Sequence, residues 1–143
     1  MKKIIFNSTI GLFLVTLFSC SKTENQTCTF GKSTFENKTY KPSLIKVESN
    51  GVDVTSTIGA MITSDPCFSN TITLNSSGNF IENKDSKCTD PTENGTWKVY
   101  SSNNKNYFVF EKDTAEVISF DCNSMTFKRL ESSFSITGKL TKI

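Results

Sequence analysis

From residue 44 onward, apolar and polar positions alternate with a period of two. The alternation is clearest at 68–74 (FSNTITL). There Phe68, Ile72 and Leu74 share one face with Asn70, while Ser69, Thr71 and Thr73 take the other. It returns at 134–140 (FSITGKL). A period of two with one apolar face predicts half-buried antiparallel strands. Weaker alternation predicts strands at 44–49, 80–84, 96–100, 107–112, 115–120 and 125–130, making eight in all. Turn-forming runs separate them: NSSGN at 75–79, SSNNKN at 101–106, KDT at 112–114, DCNS at 121–124 and ESS at 131–133. Short connectors join each strand to its neighbour as a meander. The one long connection, 50–66, predicts a short helix from Val54 to Ile62, with Asp53 or Thr55 as N-cap and Pro66 as its break. A meander of eight strands leaves two open edges, and closing the sheet removes both. The predicted fold is therefore all-β: an eight-stranded antiparallel up-and-down barrel with one short helix after the first strand. A two-sheet sandwich fits the strand count, but it ordinarily needs a long crossing connection between strands.

The first residues follow a different pattern. Met1-Lys2-Lys3 is a basic start, an apolar run extends to Phe18, and Ser19 precedes Cys20. This is the layout of a secretory signal peptide, and a Cys directly after the small residue makes it look like a bacterial lipoprotein signal. Asn7, Ser8 and Thr9 interrupt the run, which reads against a membrane-spanning helix. The expected organisation is a signal peptide at 1–19, a lipidated Cys20 with a polar tether at 20–28, and a barrel domain at 29–143. The protein is thus placed in the cell envelope as an outer-membrane lipoprotein, its membrane partner met through the lipid on Cys20. Removing 1–19 from 143 residues leaves 124, enough for one domain with a real core.

Cys28, Cys67, Cys88 and Cys122 remain after Cys20. An even count in an exported chain reads as disulfides, with three possible pairings. Cys67–Cys88, across one hairpin region, and Cys28–Cys122, pinning the N-terminal tail, are preferred. A zinc site has little support, because no two cysteines are close in sequence and the chain has no histidine.

The formal net charge of +2 comes wholly from Lys2 and Lys3, so the mature chain has no global basic field for nucleic acid or acidic lipid. Without histidine, Ser-His and Cys-His nucleophile systems have no base. No Gly-X-Ser-X-Gly motif and no phosphate-cradling Gly loop is present. The expectation is a non-enzymatic protein with no cofactor and no metal. Asp85, Asp90 and Glu93 lie around Cys88, but without a twelve-residue Gly-containing calcium loop they read as a solvated loop.

Twelve phenylalanines are a heavy load for this length. Phe68, Phe80, Phe108, Phe110, Phe120, Phe127 and Phe134 fall on expected strands, where they point into a barrel and fill it. Room left among them would take something apolar, oriented by a few polar groups. The candidate ligand-binding residues are Asn70, Trp97, Phe110, Phe127 and Arg129. Trp97, the only tryptophan, reads first as a core aromatic and second as a stacking wall. Arg129, the only arginine, shares a face with Met125 and Phe127; its stem covers the barrel rim while the guanidinium reaches water or clamps a carboxylate.

Four further pieces occur in a set order: IKVESNGVDVT at 45–55, Cys67 before an alternating strand, NSSGNF at 75–80, and Cys88 followed by ENGTWK at 93–98. In this order and spacing, 44–130 resembles bacterial lipocalin-like domain lipoproteins. The resemblance implies an eight-stranded barrel with an internal or mouth-facing pocket and a binding role, here for a small apolar or amphipathic molecule. The alternative is an interaction or structural module of the envelope with a side-chain-filled barrel. In the wider lipocalins a Gly-X-Trp lies on the first strand. Here Gly95-Thr-Trp97 is mid-chain, so that role is not transferred.

Overall fold

The computed structural model describes residues 27–143. The expected signal peptide, Cys20 and most of the expected tether lie outside the described residues. The elements in chain order are α1 (Lys32–Phe35), β1 (Lys38–Ser49), β2 (Val52–Asp53), α2 (Ala60–Thr63), β3 (Thr71–Leu74), β4 (Asn79–Asn83), β5 (Asn94–Ser102), β6 (Lys105–Phe110), β7 (Asp113–Phe120), β8 (Ser124–Leu130) and β9 (Phe134–Lys142).

Strands β1 and β3 to β9 pair antiparallel, each with its sequence neighbour, and β9 returns to pair with β1 from Tyr40↔Lys142 to Ser49↔Phe134. The sheet is thus an eight-stranded closed up-and-down barrel, as the alternation predicts. The two-residue β2 is an unforeseen extra, a tight hairpin on the end of β1. Asn50 and Gly51 turn it with φ of 50° and 79°, the left-handed backbone that Asn and Gly tolerate best.

Strand β1 starts at Lys38, six residues before the expected 44, because Lys38, Thr39 and Tyr40 pair with Leu74, Thr73 and Ile72 of β3. Strand β3 is short. The expected strand at 68–74 holds only from Thr71, and Phe68 and Ser69 belong instead to a 3₁₀ turn, Pro66–Ser69. Asp65 accepts the Cys67 N–H at 2.8 Å and Pro66 supplies a helical φ, so local capping overrides the alternating pattern. The upper half of β1 therefore lacks a strand neighbour on that side. A helical segment covers it: a π-turn, Thr55–Gly59, leading into α2. Val54 N–H donates to the Val47 carbonyl at 2.9 Å and Val47 N–H donates to Thr55 Oγ1 at 2.8 Å. Asp53 accepts both the backbone N–H and the hydroxyl of Thr55, at 2.9 and 2.6 Å, but the N-cap is Val54, with no side-chain cap, rather than the expected Asp53 or Thr55.

One end of the barrel is closed by a segment with no precedent in the strand pattern. Residues 29–37 fold across it, and Phe35, Phe30 and Phe120 meet edge-on with centroids 5.1 to 6.4 Å apart. Phe35 joins Tyr40, Leu74, Phe80, Trp97 and Met125 in the buried cluster. The Cys28–Cys122 disulfide fastens this segment to the β7–β8 turn, and Cys67–Cys88 joins the 3₁₀ turn to the β4–β5 loop. Both are the preferred pairings.

Candidate functional site

Inward positions run in rows across neighbouring strands. Phe127 of β8 pairs with Gly138 of β9, which pairs with Leu44 of β1; one row nearer the mouth, Arg129 pairs with Ile136 and Ile136 with Val47. Toward the closed end the interior is filled. Phe35, Tyr40, Leu74, Trp97 and Met125 are buried there, and at the border with the cavity Phe80 stacks on Phe110 at 3.8 Å and Trp97 lies 6.4 Å from Phe108. Toward the other end it is not. A cavity of about 180 Å³ is walled by Ile72, Phe108, Phe110, Phe127 and Leu140, with Pro42 and Ala115 completing it. An apolar cavity of about 150 Å³ is known to hold a benzene-sized molecule, so this one has room for a single ring or short alkyl group.

Its mouth is polar. Arg129 Nη1 meets Asp113 Oδ2 at 2.7 Å, and both residues line the cavity. Arg129 Nε meets Glu131 Oε1 at 2.6 Å. The Arg129 and Asp113 side chains are 38% and 50% exposed, so these pairs add little stability and serve mainly to fix where the charges stand. The arrangement holds a small apolar body below a fixed cation and two carboxylates.

Phe110, Phe127 and Arg129 are brought together at this cavity. Trp97 lies in the filled part of the core, 3% exposed, with its indole N–H donating to the Asn75 carbonyl at 3.1 Å. Asn70 is buried away from the cavity. Its amide donates to Glu82 Oε1 at 2.8 Å and to Cys88 Sγ at 3.3 Å, and its carbonyl accepts the Asp85 N–H at 2.8 Å. It organises the loop over Cys88, so neither Asn70 nor Trp97 is placed to touch a ligand in the cavity. Phe68 leaves the interior with the 3₁₀ turn. Asp121, at the closed end, is a full barrel length from Asp85, Asp90 and Glu93.

The residues missed by the sequence reading are those that create the space. Ala115 is the small member of the inward set Asp113, Ala115 and Val117, opposite Phe108. Pro42 sits on β1 opposite Leu140. A small residue on an inward row of Phe and Leu is the one signal that marks the cavity in advance. No family model, no curated protein and no solved structure matches this chain.

Proposed function

We propose that this protein is an exported, lipocalin-like lipoprotein, tethered through Cys20, that holds one small apolar or amphipathic molecule in the mouth of its barrel. The cavity between Phe108, Phe110, Phe127 and Leu140 carries this reading. Close packing ordinarily leaves few voids of this size in a domain, and pockets with apolar walls and a few fixed polar groups are the usual form of a small-molecule site. The Cys20 context and the two disulfides support export, since disulfides persist in oxidising compartments. The aromatic packing of the closed half favours a second reading, a filled barrel that works through its surface.

Native mass spectrometry of protein purified from its own host, with calorimetric titration of indole and hexanol, separates the two. The binding reading expects a retained small molecule or saturable one-to-one uptake, lost in Ala115→Leu, which fills the cavity. A wild-type barrel that takes up neither probe and retains nothing overturns it. For the anchor, labelled palmitate is expected on wild type and absent from Cys20→Ser; label absent from wild type overturns tethering.

A further inference from the structure

The two ends of the barrel differ in charge. At or beside the closed rim stand Lys32, Lys38, Lys41, Lys105, Lys139 and Lys142, against the side chains of Glu36, Asp121 and Glu116, the last paired with Lys105 at 2.9 Å. The six lysines outnumber these three acidic side chains by three. Asp121 is committed inward. It accepts the Asn123 N–H at 2.7 Å, the Ser124 N–H at 2.6 Å and the Ser124 hydroxyl at 3.0 Å. At the mouth the sign reverses, with Asp85, Asp90, Glu93, Glu111, Asp113 and Glu131 outnumbering Lys84, Lys87, Lys112 and Arg129.

The lysines at the closed end are grouped. Lys38 and Lys142 share a polar hollow of about 550 Å³ whose other walls include Ser33, Thr34 and Asn123. Lys38 Nζ donates to the Thr34 carbonyl, which holds the ammonium at the wall of the hollow. On the outer wall beside it, Lys41 of β1 pairs with Thr141 and Lys139 of β9 pairs with Ser43, so the two lysines are diagonal neighbours. The chain arrives at the same place, since Thr27 and Cys28 line the hollow. Cys20 is seven residues before Thr27. At about 3.5 Å per extended residue, an anchor there keeps this face within about 25 Å of the lipid head groups.

We infer that the closed end docks on anionic phospholipid, with lipid phosphates at the Lys38–Lys142 hollow and the cavity mouth turned away from the membrane. Lysine ammoniums and hydroxyls are donors suited to phosphate oxygens. Because the mature chain carries no net charge, the attraction arises from its asymmetry and is short-ranged in salt. The setting rests on the tethering proposed above; the lysine face is tested without the lipid.

The chain from Cys20 onward, prepared without its acyl group, is sedimented with vesicles of phosphatidylcholine, alone or with about one-third phosphatidylglycerol. The docking face predicts at least about tenfold tighter binding to the anionic vesicles at about 50 mM salt, fading by about 300 mM. At about fivefold per lysine removed, Lys38→Ala with Lys142→Ala abolishes most of it. Lys112→Ala, at the mouth, changes binding by less than about twofold. Unchanged melting of the variants shows that the fold is kept. Equal binding to both vesicles overturns the inference, as does an equal loss in Lys112→Ala. Displacement by inorganic phosphate at matched ionic strength assigns a soluble-anion site instead and overturns membrane docking. Palmitate labelling is read separately, so loss of the anchor and loss of the docking face are distinguishable.

Discussion

Tyr40 sits where strand, plug and core meet. It is 1% exposed, and its phenol donates to the Phe35 carbonyl at 3.3 Å. Burial penalises the phenolate and pushes the group up to about 12. In the unfolded chain a tyrosine ionises near 10, so between about pH 10 and 12 the unfolded state gives up its proton first. The stability tied to Tyr40 is intact below about pH 10 and falls as pH rises, by up to about 3 kcal/mol. Urea midpoints measured from pH 8 to 12 should show this alkaline decline in wild type and a shallower one in Tyr40→Phe; parallel declines would refute it. Gly138 acts by close approach rather than by backbone freedom. A Cβ there would lie 2.7 Å from Cζ of Phe127. Gly138→Ala therefore drives that ring toward the cavity, with an expected loss of about 1–3 kcal/mol in unfolding free energy and weaker indole binding by titration.

The strands were legible because each buries one face, so the pairing register is written into the alternation. Phe110 and Phe127 lie on faces that this alternation turns inward, and both line the cavity, with Arg129 at its rim. Two elements escaped it. The 3₁₀ turn over 66–69 answers to Asp65 and Pro66, a local cap that periodicity does not register. The plug over 29–37 is mostly polar, and its Phe30 and Phe35 find partners only once the barrel end exists. Depth along an inward row was also hidden. The void depends on the sizes of side chains from several strands, and Trp97 shares its row with Phe110 yet misses the cavity. Asn70 shows how an element can carry a polar residue that looks like a ligand contact. Its three hydrogen bonds tie the start of β3 to the loop holding Cys88. Asn70→Ala strips the Asp85 N–H and the Glu82 carboxylate of a partner, for a cost of about 1–3 kcal/mol. Chemical denaturation should report that loss, while titration with indole should report unchanged affinity. A change in affinity with stability preserved would return Asn70 to the site.

As a whole, the molecule is a cylinder held in two places by covalent links of different reach. Cys28–Cys122 spans 94 residues and locks the plug to the closed end; Cys67–Cys88 spans 21 residues and stays local to the helical cover. A cross-link stabilises by reducing the freedom of the unfolded chain, and the effect grows with the logarithm of the loop. On that account the long bridge contributes about 4.7 kcal/mol and the short one about 3.3 kcal/mol. Cys28→Ser with Cys122→Ser should therefore cost the more, and it should also loosen Phe30 and Phe35, whose packing depends on the segment staying in place. The mouth cavity lies at the far end and shares none of its lining residues with the plug, so ligand affinity should survive the loss of the long bridge. Paired serine variants, compared by denaturant midpoint and by indole titration, test both halves. An equal or smaller cost for the long bridge would show that the plug stands by its own packing. A parallel loss of affinity would show that the two ends of the barrel are coupled through its core.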